Sequence, residues 1–156
     1  NGPLLFAEVD GQEPGSELSS RSRVTVEVDL ATIAPVEVIE IIVDGDVAHT
    51  ISVREGEHQL TAQESIPVDG ARWIAVRARG GKARYSGDNY TFAHTTPVYF
   101  TDAPPNDASR ASADFLTAVI EEIWRRVDQR DAWLRPEDRE VYRRHLDEAL
   151  TRLAAN

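Results

Sequence analysis

From Val24 to Leu30 the chain alternates strictly, with Val24, Val26, Val28 and Leu30 separated by Thr25, Glu27 and Asp29. A period of two puts the four aliphatic side chains on one side of an extended backbone, which predicts a half-buried strand. Pro35 opens a second run, Val36 to Val43, in which Ile39, Ile41 and Val43 share one face and Val38, Glu40 and Ile42 the other. Asp44-Gly45 separates this run from Asp46 to Ile51. An Asp-Gly pair between two such runs predicts a two-residue hairpin, because both turn positions need positive φ. Further strands are expected at Leu4 to Val9, Gln59 to Ile66, Arg72 to Arg79 and Pro97 to Thr101, with a weaker one around Tyr90.

The period changes after the hinge Asp102-Ala-Pro-Pro-Asn-Asp107, whose prolines and Asx residues end a strand and precede a helix. Leu116, Val119, Ile120, Ile123, Trp124 and Val127 recur at three and four, the stripe of an amphipathic helix. Ser109 or Ser112 is the expected N-cap. A second helix is expected from Pro136, with Glu137 and Asp138 at its positive end and Tyr142, Leu146, Ala149 or Leu150, and Leu153 as its stripe. About seven residues are expected between the helices, which suits an antiparallel hairpin.

The predicted fold class is therefore mainly β, an immunoglobulin-like two-sheet β-sandwich followed by a C-terminal two-helix hairpin. The division is a sandwich over 1–102, a Pro-rich linker over 103–107, and a hairpin over 108–156 packing on the sandwich or on a partner domain. Two helices bury little surface alone, so a homodimer through them is a further expectation.

Charge narrows the partners. The 156 residues carry 17 Lys+Arg against 27 Asp+Glu, a formal charge of −10, with 16 acids and 8 bases in residues 1–106. Phosphate neutralisation requires a basic face, so a nucleic-acid partner is not expected. An anionic membrane surface is disfavoured on the same ground, and no apolar run is long enough to insert into a bilayer. With no Cys there is no disulfide framework, zinc finger or thiol nucleophile. The absence of Met suggests a piece of a longer chain.

Candidate chemistry is sparse. His49, His58, His94 and His145 fall in no His-x-His or His-Glu-x-x-His spacing. No Gly-x-Ser-x-Gly elbow occurs, and Ser86-Gly87 reads as a turn. Asp44-Gly-Asp46 supplies only the first two ligand positions of a calcium loop and reads as a hairpin. Gly80-Gly81 lacks the Gly-Lys-Ser/Thr helix start of a phosphate cradle and reads as a flexible turn. No catalytic or metal-binding residue is expected here, and no cofactor. Basic residues do cluster, at Arg72, Arg77, Arg79, Lys82 and Arg84. On a strand Arg77 and Arg79 share a side with Trp73, while Ile74, Val76 and Ala78 face the other way. That face is either a ligand or docking surface, or a solvent face neutralised by neighbouring acids.

A series of phrases adds a resemblance. Asn1-Gly2-Pro3-Leu4-Leu5, Val9-Asp10-Gly11, Pro14-Gly15, Ile39-Glu40-Ile41-Ile42-Val43-Asp44-Gly45, Trp73-Ile74-Ala75-Val76-Arg77 and Ala93-His94-Thr95-Thr96-Pro97-Val98-Tyr99 follow one another in order. This series resembles the C-terminal β-sandwich region of the carbaryl-hydrolase-like (CehA/McbA) branch of the PHP metallohydrolases. The resemblance implies an upstream α/β barrel that binds divalent metals and hydrolyses phosphate esters or related bonds. The barrel's His-x-His and Asp-x-His ligands would lie before Asn1, so no catalytic residue carries over. The chain is then expected to be a non-catalytic accessory domain, with the upstream catalytic domain of the same chain as partner. The alternative is a free-standing glycan- or protein-binding module. Trp73, Arg77, Arg79 and His94 are the residues expected on its interface or ligand face.

Overall fold

The computed structural model describes residues 2–84, 87–105 and 107–154, the side chain of residue 108 excepted. The chain forms two compact units, Asn1–Pro104 and Pro105–Asn156. The first is built of β1 (Leu4–Val9), β2 (Glu17–Leu18), β3 (Arg23–Ala31), β4 (Val38–Val43), β5 (Asp46–Ser52), β6 (Gln59–Pro67), β7 (Trp73–Gly80), β8 (Thr91–His94) and β9 (Val98–Phe100). The second is built of α1 (Asp107–Arg130) and α2 (Pro136–Ala154).

Among the described residues, nine strands form two sheets. One has the order β1-β3-β6; the other runs β2-β9-β7-β4-β5, with β8 also paired to β7. The chain changes sheet between β1 and β2, β2 and β3, β3 and β4, β5 and β6, and β6 and β7, as befits a two-sheet sandwich. Alternation makes the core: Val24, Val26, Val28 and Leu30 of β3 meet Ile39 and Ile41 of β4 and Ile74, Val76 and Ala78 of β7 in one buried cluster. Each fully buried aliphatic side chain contributes about 1.5–3 kcal/mol relative to exposure, an upper range given compact unfolded chains.

The Asp44-Gly45 hairpin is present, with φ of 50° and 102°. Val43 pairs with Asp46 across it. Asp10-Gly11 makes the same kind of turn at φ 49° and 71°, closed by reciprocal Val9 and Gln12 backbone bonds of 2.9 and 3.0 Å.

Several boundaries differ from the sequence expectation. The strand expected around Tyr90 begins one residue later, at Thr91, and Tyr90 itself is exposed. β8 and β9 run along the same side of β7, separated at Thr95-Thr96-Pro97. The Thr95 hydroxyl accepts the Val76 N–H at 3.1 Å, so the break leaves that donor satisfied. The two-residue β2, parallel to β9, carries no alternation for a sequence to show. Gly80 is not a flexible turn residue but the last residue of β7, where a Cβ would stand 1.9 Å from the Pro35 carbonyl oxygen. The Ser86-Gly87 turn begins outside the described residues.

In the helical unit α1 starts at Asp107, so Ser109 and Ser112 lie within the helix rather than at its N-cap. Position 106, which precedes it, lies outside the described residues. The helices are joined by five residues, 131–135, not seven. Asp131 takes φ 45°, the left-handed conformation that ends a helix. Trp124, Trp133 and Tyr142 gather at the connection with centroids 5.8 to 6.5 Å apart. The Trp133 indole N–H is buried there without a hydrogen-bond partner. Among the described residues no helix is long and apolar enough to cross a membrane.

Candidate functional site

Strand β7 positions the candidate face. Its inward residues Ile74, Val76 and Ala78 are buried, so Trp73, Ala75, Arg77 and Arg79 project from the outer side of the larger sheet. Register then sets their neighbours. Trp73 pairs with Tyr99 of β9. Arg77 pairs with His94 of β8 and Glu40 of β4, and Arg79 with Phe92 and Val38. Trp73, Arg77, Arg79 and His94 thus lie on one face, about 20 Å long over the seven residues from Trp73 to Arg79.

Its centre is an ion cluster. Glu40 accepts Arg77 Nε at 2.5 Å, and Arg79 through Nε at 2.9 Å and Nη2 at 2.5 Å. The Glu40 side chain is only 8% exposed, whereas Arg77 and Arg79 keep 36% and 50% of theirs in solvent. The Arg79 hydrogen bonds, assisted by Arg77, hold the Glu40 carboxyl at about 2 against the opposing effect of burial. Glu37 adds a favourable field at Arg79. Two guanidinium groups therefore sit among two carboxylates, and the arrangement is close to neutral. A neutral, oriented row of donors favours a polar partner surface over a free anion.

Aromatic side chains flank this row. The Phe92 ring lies 5.7 Å from His94 at one end, and Tyr99 stands beside Trp73 at the other. Phe92 and Tyr99 are both more than 40% exposed. His94 Nδ1 is 3.1 Å from the Thr95 carbonyl oxygen. The sequence did not single out Glu40, Phe92 or Tyr99 as site residues. For Glu40 a signal was present, a lone acid inside the aliphatic run of β4.

The remaining candidates are held by the fold. The Asp44 carboxylate accepts the backbone N–H groups of Arg72 and Trp73 at 3.0 and 3.1 Å, tying the hairpin to the start of β7. His49 lies 3.5 Å from Glu64, between the edge strands of the two sheets. His58 Nδ1 is 3.0 Å from the Thr32 carbonyl oxygen, and His145 stands 3.8 Å from Glu148. Glu55 and His58 share a Glu-x-x-His spacing, but it falls on the connection between β5 and β6, where no helix aligns the two side chains. No group of three or more metal-ligating side chains converges among the described residues. A cleft of about 510 Å³ lies between the β3–β4 and β5–β6 connections, lined by Ala34, Val36, Glu37, Val53 and His58 beside the almost fully exposed Ile33.

Comparison with protein-family models, with characterised proteins and with solved structures found no match to the chain.

Proposed function

We propose that the chain is an accessory, non-catalytic domain that docks on a neighbouring domain through the outer face of its larger sheet. The observation that carries this reading is the row Arg77–Glu40–Arg79, held together by the hydrogen bonds of both arginines to Glu40 and flanked by the exposed Phe92 and Tyr99. Aromatic and arginine side chains with restricted rotamers lose little entropy on association, which suits an interface. The resemblance supports assigning the neighbour as an upstream metal-dependent hydrolase of the PHP type, whose divalent metals would belong to that barrel.

The coding sequence preceding Asn1 tests the assignment. A His-rich barrel is the expected result, and an unrelated or absent upstream domain overturns it. Tyr99→Ala and Phe92→Ala test the face in the longer protein. Both should loosen the sandwich against limited proteolysis without changing its own unfolding midpoint, and unaltered proteolysis would exclude the face.

A second reading, a glycan- or protein-binding module, is favoured by the same exposed aromatics. The two variants would then abolish ligand capture by the isolated 156-residue chain.

A further inference from the structure

The helical hairpin is asymmetric across its two long sides. One side is sealed by ion pairs between the helices: Arg139 to Asp128 at 2.6 Å and Arg143 to Glu121 at 3.1 Å. Both guanidinium groups also lie over the Trp124 ring, at 5.2 and 5.3 Å. The opposite side is apolar and open. Leu116 and Ile120 of α1 and Ala149 and Leu153 of α2 line a groove of about 360 Å³, with His145, Glu148 and Arg152 beside it. Phe115, Leu116, Ile123 and Val141 are each at least 40% exposed. No residue of α2 is buried.

A pair of helices in that condition is marginal in water, because helical stability comes from packing an apolar stripe. We propose that the open side of the hairpin is covered by the same side of a second copy of this chain, forming an antiparallel four-helix bundle about a two-fold axis.

Two features favour a second copy. Size is the first: α2 spans about 28 Å, and two helices packed side by side are about 20 Å wide, so the covered area is on the order of 1,100 Å² over both copies. That lies near the lower bound for a specific interface. Charge is the second. Both signs border the groove, with Glu148 and Arg152 side by side toward the open end of the hairpin. Two copies with such mixed charge meet without the like-charge repulsion that a strongly charged face would impose on self-association. Helical residues 107–154 carry 11 acids and 9 bases, nearly balanced, unlike the acidic sandwich.

Sedimentation equilibrium of the full chain tests this directly. The expected mass at tens of micromolar is twice the 17.3 kDa of one chain, and the helical signal at 222 nm should melt at higher temperature as concentration rises. Ile123→Glu should give a monomer with reduced helicity, and the more exposed Phe115→Glu should weaken dimerisation at least tenfold with the sandwich intact. Arg144→Glu, outside the groove, should leave the dimer unchanged. A wild-type monomer at 100 µM overturns the proposal, meaning that something else covers the groove. A dimer that survives Ile123→Glu and Phe115→Glu overturns it too, placing the contact elsewhere.

Discussion

Glu40 shows how one side chain can organise a face. It sits in an otherwise aliphatic segment, and its burial would push the carboxyl toward the neutral form without the two arginines. They reverse that effect, and the folded value of about 2 lies below the ordinary 4.5. A lowered carboxylate value means that the stabilisation is complete above about pH 4.5 and is lost as pH falls from there toward 2. Glu40→Gln should therefore cost about 1–3 kcal/mol at pH 7, at the lower end because both arginines can turn to water. The difference from wild type should shrink in urea titrations at pH 3. An equal difference at both pH values would contradict the assignment.

Asp44 makes a second residue-scale case. Its carboxylate satisfies two backbone amides of β7 while its own φ is positive. Asp44→Ala loses both the acceptor and a residue tolerant of that conformation, and should lower stability by about 1–3 kcal/mol in chemical denaturation. Asp44→Asn keeps one acceptor oxygen and the tolerance, so it should recover at least half of the loss. The Asp-Gly pair was legible as a turn because both positions need positive φ. The use of its carboxylate by a strand some 28 residues away was not, since that contact depends on which strands become neighbours.

At the scale of elements, long periodic segments were read well and interrupted ones poorly. The alternation of β3 spans its whole length, and Pro136 marks the start of α2. β2 has two residues and β8 four, too few for a period to show. Gly80 illustrates the limit most clearly. Beside Gly81 it looks like a flexible turn, yet its missing side chain is needed because the Pro35 backbone passes against it. Gly80→Ala should force the end of β7 away from Pro35 and cost more than about 2 kcal/mol, by the rule for overpacked sites. Gly81→Ala, whose Cβ would meet only the Glu37 side-chain oxygen at 3.0 Å, should cost less. Paired thermal melts of the two variants check this order; a reversal would show that the close approach is not what selects glycine.

Across the whole molecule, charge acts with opposite sign on the two units. Residues 1–106 carry an excess of eight acids, so self-repulsion opposes the compact sandwich. The hairpin instead gathers attractive pairs such as Arg139–Asp128 and Arg143–Glu121. Raising salt from about 0.01 M to about 0.15 M shortens the screening length from about 30 Å to about 8 Å. The sandwich transition, followed by β-sheet circular dichroism, should rise in temperature. The hairpin transition, followed at 222 nm, should fall or stay level. A parallel rise of both would show that packing rather than ion pairing governs the helices.

The sequence by itself determined the fold class, because side-chain period depends only on local backbone geometry: two for the strands, between three and four for the helices. It also placed Trp73, Arg77 and Arg79 on one side of their strand, since alternation requires it. Only the tertiary structure decided that Glu40, Phe92 and Tyr99 join them, and that one long side of the hairpin is sealed while the other stays open. Those relations arise from strand register and helix rotation, which are set when distant segments compete for the same buried space and the same hydrogen-bond partners.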